Sequence, residues 1–217
     1  DLAQLSPTEA TAWGIPGYEG ELQDFSPEYY AAIADRTRDM VADVDALDDT
    51  TDESDDEDDF DEVDYVTAAV LRDRLCLDLD LHHHGEDIRS LNNIASPVQT
   101  IRDTLLLMPQ DTPEQLDAIR SRLSKVGGAL TGYKDSLKEA ASHGMVPPHR
   151  QINEVFVQCE RLADSDSMLE NLGVEGPEVE AAKHAFGQFA DWLSNDLQPQ
   201  APTEDAVGRD RYERFSK

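Results

Sequence analysis

Thr112-Pro-Glu-Gln-Leu-Asp-Ala-Ile-Arg-Ser-Arg-Leu-Ser-Lys-Val-Gly-Gly-Ala-Leu-Thr-Gly-Tyr-Lys-Asp-Ser-Leu-Lys-Glu-Ala-Ala-Ser-His143 is the stretch on which the fold turns. Its apolar residues fall at Leu116, Ile119, Leu123, Val126, Leu130, Tyr133 and Leu137, in steps of three and four that share one helical face. Thr112 is a good cap, Pro113 suits the first turn, and Gln115 stands where its amide reaches back to the cap. His143-Gly144 supplies the stop, because Gly takes the left-handed turn that ends a helix. A helix this long, with an unbroken apolar face, needs other helices to cover it.

Similar punctuation recurs on both sides. Ser6-Pro7-Thr8-Glu9 opens a short helix that Gly14, Pro16 and Gly17 stop. Ser26-Pro27-Glu28 opens a second, with Tyr29, Ile33, Met40, Val44 and Leu47 on one face. Ser96-Pro97-Val98-Gln99 leads into Ile101, Leu105 and Met108. Pro147-Pro148 precedes Ile152, Val155, Phe156, Cys159 and Leu162, and Gly176-Pro177-Glu178 precedes Val179, Ala182, Phe186, Phe189, Leu193 and Leu197. Pro199 and Pro202 make a stiff connector, after which a last helix is entered near Thr203. One segment is ambiguous: Leu75, Leu77, Leu79 and Leu81 alternate as in a strand, yet they continue a pattern begun at Val63, Val66, Val70 and Leu71. That run is too long for an ordinary strand, and a helix with a broad apolar face explains more of it. The predicted fold class is all-α, a multi-helix, largely antiparallel array. Residues 1–200 form one helical domain, with an acidic loop over about 45–62, and 203–217 begin a further helix.

The 217 residues carry 18 Lys and Arg against 47 Asp and Glu, a formal charge of -29. Such a field repels phosphate backbones and argues against a nucleic-acid partner. No apolar run approaches the roughly 18–20 residues of a membrane-spanning helix. Two cysteines, Cys76 and Cys159, make no disulfide scaffold, so a reducing, cytoplasmic setting is expected. From Asp48 to Asp64, twelve of seventeen residues are acidic, and no Lys or Arg falls between Arg38 and Arg72. This tract suits a basic protein partner or divalent cations, although no Gly stands where an EF-hand loop requires one.

His82-His83-His84 is the most conspicuous candidate metal site, with Glu86 and Asp87 as further donors. Successive helical residues point about 100° apart, so the three rings do not converge on one ion. The competing reading is a helix end, where His and the following Gly85 complement the dipole and turn the chain. Both cysteines lie among apolar residues without a local basic neighbour, which marks them as inert core thiols. Asn92, Asn93 and Gln99 sit inside an apolar stretch; they either line a cleft or serve as caps, Ser96 with Gln99 forming a capping pair. No G-x-S-x-G nucleophile motif, phosphate-binding loop or H-E-x-x-H metal helix occurs, so no catalytic residue is assigned.

Five blocks occur in a telling order: Thr11-Ala-Trp-Gly-Ile-Pro-Gly-Tyr18, Leu75-Cys-Leu-Asp-Leu-Asp-Leu-His82, Leu91-Asn-Asn-Ile-Ala-Ser-Pro-Val-Gln-Thr-Ile-Arg-Asp103, Leu107-Met-Pro109 and Asp205-Ala-Val-Gly-Arg-Asp-Arg-Tyr212. Together they resemble the N-terminal part of a bacterial family called domain of unknown function eight-eight-five, in its actinobacterial form. The resemblance implies a helical protein more than twice this length, similar in fold to zinc carboxypeptidases of the gluzincin kind. In such proteins the zinc-binding helix lies downstream, so zinc is expected in the full-length parent and none in this segment. The partner of this segment would then be the remainder of its own chain, and both ends read as cuts within a longer protein. Only His82 falls where the family pattern expects histidine; His83, His84 and the acidic insertion are departures.

Overall fold

The structure is a computed structural model that describes residues 2–50 and 61–216, with the side chains of residues 48–50 excepted. Among these residues every regular element is helical. The order is α1 (Leu2–Leu5), α2 (Pro7–Ala12), α3 (Pro27–Thr50), α4 (Glu62–His83), α5 (Pro97–Leu107), α6 (Pro113–Ser142), α7 (His149–Ala163), α8 (Pro177–Trp192) and α9 (Arg209–Phe215). The chain divides into two compact units. The first gathers Asp1–Tyr29 and Ile88–Ala206; the second gathers Tyr30–Asp87 and Val207–Lys217.

In the first unit, α6 is the axis. Ile119, Leu123, Val126, Ala129, Leu130, Tyr133, Leu137 and Ala140 are all buried along it. α8 and α5 pack on α6, while α7 packs on α8. Thr112 caps α6 as its side chain accepts the Gln115 N–H at 3.4 Å, and the Gln115 amide oxygen accepts the Thr112 N–H at 3.1 Å. The rings of Tyr133 and Phe189 stack with centroids 5.3 Å apart, and the Tyr133 hydroxyl donates to the Ser90 carbonyl at 2.6 Å. Each aromatic thus adds several kcal/mol of core, of order 3–5 if truncated to Ala.

The segment before α3 lies close against α6. Phe25 takes a left-handed φ of 51°, a strained choice for a bulky residue. Its ring is buried, and its carbonyl accepts the Ser136 hydroxyl at 2.7 Å, which holds that conformation. Gly132 is what permits the approach, since a Cβ there would stand 2.2 Å from the Asp24 carbonyl oxygen.

In the second unit, α3 and α4 are joined by an ion pair, Arg72 Nε to Asp45 Oδ1 at 2.6 Å. Asp61 opens α4: its carboxylate accepts the Val63 and Asp64 N–H groups at 2.7 and 3.0 Å, and Asp64 returns the bond to the Asp61 N–H at 3.0 Å. The leucines from Leu75 to Leu81 are therefore helical. Leu75 is buried, whereas Val63, Val66 and Val70 are exposed.

Two boundaries differ from those expected. Residues 45–50 belong to α3 and not to an acidic loop, because no Gly or Pro interrupts the helix and Asp45 is paired; the part of the tract over 51–60 lies outside the described residues. The last helix begins at Arg209, not near Thr203, because the Asp205 carboxylate is taken by Arg150 and Gly208, at φ 82°, sets the turn into α9.

Two helical glycines of α6 should respond oppositely to the same change. Gly128→Ala meets open space and should stabilise by about 0.5–1 kcal/mol, whereas Gly132→Ala should destabilise by about 1–3 kcal/mol through the clash with Asp24. Urea midpoints of the two variants check this.

Candidate functional site

A cluster of charged side chains in the second unit stands at the end of α4. The helix closes in a double-bonded turn: Gly85 N–H donates to the His82 carbonyl at 2.8 Å and Glu86 N–H to the Leu81 carbonyl at 3.0 Å. Gly85 provides the left-handed residue, at φ 66°, that this closure needs. The next position usually carries an apolar side chain; here it carries Glu86, which is buried. Its Oε2 accepts Arg211 Nε–H at 2.7 Å and its Oε1 accepts Arg214 Nη1–H at 3.1 Å. Both arginines lie on α9, one helical turn apart. The Arg211 guanidinium also covers the Phe215 ring at 5.7 Å.

The three histidines diverge around this turn. His82 Nδ1 bonds Asp87 Oδ2 at 2.6 Å, both side chains being about one-quarter exposed. His84 Nδ1 bonds the Asp80 carbonyl at 2.7 Å, and the His83 ring meets His84 edge-on. Among the described residues no three His, Cys, Asp or Glu side chains are gathered as an ion would require. The reason is local: each ring is taken by a different neighbour.

The three amide residues occupy the loop before α5. Asn92 turns the loop on itself, its Oδ1 accepting the Ile94 and Ala95 N–H groups at 2.8 and 2.7 Å. The Asn93 N–H donates to Gln151 Oε1 at 2.9 Å. Gln99 Oε1 accepts the Ser96 N–H at 2.9 Å, and Gln99 Nε2 donates to Gln158 Oε1 at 2.7 Å. Their partners Gln151 and Gln158 come from α7, almost sixty residues further along the chain, so no local pattern announces the contact. The amides hold loop, α5 and α7 together.

A further buried polar group was not foreseen. Arg122 on α6 is fully buried; its Nε–H donates to the Glu21 carbonyl at 2.8 Å, and Nη2 donates to Thr11 Oγ1 and the Tyr18 carbonyl, each at 2.9 Å. Nη1 has no partner. Burial pulls its pKa down to about 10. The bonds staple residues 11–21, the Trp13-to-Tyr18 loop included, onto α6.

Two of the blocks that carried the family resemblance thus lie at this site: His82 closes one, Arg211 falls in another, and Glu86 is bonded to that arginine. The family model described as bacterial protein of unknown function (DUF885) matches residues 7–217. The chain belongs to this family. No curated protein matches it. Within this DUF885 chain no helix of the described residues is long and apolar enough to cross a membrane.

The cysteines differ from each other more than their sequence settings suggest. Cys159 is fully buried on α7, and burial pushes its thiol far up. Cys76 is only partly buried, and it does have a basic neighbour: Arg72, one turn earlier, brings Nη1 to 3.9 Å from its sulfur. Iodoacetamide applied to the native DUF885 chain should therefore modify Cys76 and spare Cys159 until denaturant is added, as peptide mass spectrometry would show. Equal labelling of both would contradict this packing.

Proposed function

We propose that this chain is the N-terminal helical segment of a zinc-dependent, carboxypeptidase-like peptidase of actinobacterial type, acting in a reducing cytoplasmic setting. In this reading it walls one side of a substrate cleft and supplies no catalytic group, while zinc and its general base come from the remainder of the chain. The observation that carries the reading is apolar surface left in water. Val63, Val66 and Val70 form a stripe along α4 at helical spacing, and Tyr212 and Phe215 stand out from α9. Monomeric helices rarely keep such stripes bare, and further helices of the same protein would cover them. Membership of DUF885 and the five sequence blocks support the same reading.

A second reading is favoured by one feature. In the sequence the α4 stripe follows directly on the tract with twelve acids in seventeen residues, which suits an acidic helical module that holds a basic protein.

Assay of the purified 217-residue chain separates the two. The peptidase-segment reading expects no peptide hydrolysis, no stoichiometric zinc, and strong binding of an apolar dye. One zinc per chain together with peptidase activity would overturn it. Weak dye binding with tight capture of a basic helical peptide would favour the second reading.

A further inference from the structure

We propose that Arg211 and Arg214 form a receptor for an oxyanion, a carboxylate or a phosphate, with Glu86 as the anchor that aims them. The inference is independent of the peptidase reading. Glu86 is fixed by the closing turn of α4, and it takes one N–H from each arginine, on opposite oxygens. The two guanidiniums are therefore held beside one carboxylate, and neither forms the two-pronged pair that would exhaust its fork. Each guanidinium carries five N–H donors. Arg211 keeps both terminal nitrogens, and Arg214 keeps Nε and Nη2. Among the described residues the only buried side-chain polar atom without a partner is Arg122 Nη1, so these donors are not shut away. The Arg211 and Arg214 side chains retain 22% and 18% exposure.

The charge balance points the same way. Arg211, Arg214 and Glu86 taken by themselves carry one net positive charge. Of the neighbouring acids, Glu213 is paired with Arg209 at 2.6 Å and Asp87 with His82, while Asp210 and Glu213 are both exposed on α9. Paired planar donors of this kind match the geometry of carboxylate and phosphate oxygens. Phe215 lies beside the Arg211 guanidinium and restricts it, and the Phe215 ring is exposed. An oxyanion with an apolar group beside it would use both features.

Calorimetric titration of the 217-residue chain tests this with three probes: inorganic phosphate, N-acetylphenylalanine and the neutral N-acetylphenylalanine amide. One-site binding of at least one anion, with none of the amide, is expected. Phosphate alone marks a phosphate receptor; tighter N-acetylphenylalanine marks a carboxylate receptor with an apolar flank. Arg214→Gln should weaken binding about tenfold or more, since a hydrogen bond to a charged group is lost. Arg214→Lys, which keeps the charge but not the planar fork, should fall between the two and guards against a variant that misfolds. Equal affinity for the amide, unchanged affinity in both Arg214 variants, or no saturable binding of either anion would overturn the proposal.

Discussion

The first unit depends on the burial of α6. Its buried positions run from Ile119 to Ala140 and include the polar Arg122 and Ser136 as well as the apolar stripe. A helix buried on so broad a face must be covered by other elements, even though Ser124, Gly128, Thr131, Asp135 and Lys138 keep its opposite face in water. That requirement draws α8 and α5 to its apolar side. It also gives the two buried polar residues their tasks, since neither can be left without a hydrogen-bond partner at low cost. Arg122 gathers the carbonyls of Tyr18 and Glu21, and Ser136 gathers that of Phe25. The segment from Thr11 to Phe25, irregular once α2 ends at Ala12, is thereby laid along the helix, with Gly132 leaving room for its closest approach.

How much of this could be read in the sequence depends on the range of the interaction. Caps and periodicity are local, so the starts at Pro27, Pro97, Pro113 and Pro177 and the helical nature of Leu75–Leu81 were legible from neighbouring residues. The limits of the acidic loop and of the last helix were not, because distant partners decide them: Arg72 holds Asp45, and Arg150 holds Asp205. Arg122 reads as an ordinary solvated residue in the sequence, since nothing in Ser121-Arg122-Leu123 announces that three groups a hundred residues earlier will surround it.

The candidate site teaches the same lesson about the histidine triplet. Spacing alone said that three adjacent rings diverge on a helix, and they do, toward Asp87, Asp80 and each other. What spacing could not show is that the turn they end on presents Glu86 to two arginines more than a hundred residues later. The signal was present as a pair of blocks in one family pattern, without a reason to join them. A buried carboxylate at a position that usually carries an apolar contact supplies that reason.

We have proposed that this chain is one wall of a larger peptidase, a reading that rests on exposed apolar stripes on α4 and α9. The most direct measurement is the nucleotide sequence beyond the codon for Lys217. The account predicts an open frame of hundreds of codons that encodes H-E-x-x-H. A stop codon immediately after Lys217 would contradict it, since the metal-binding helix on which the peptidase reading depends would not exist.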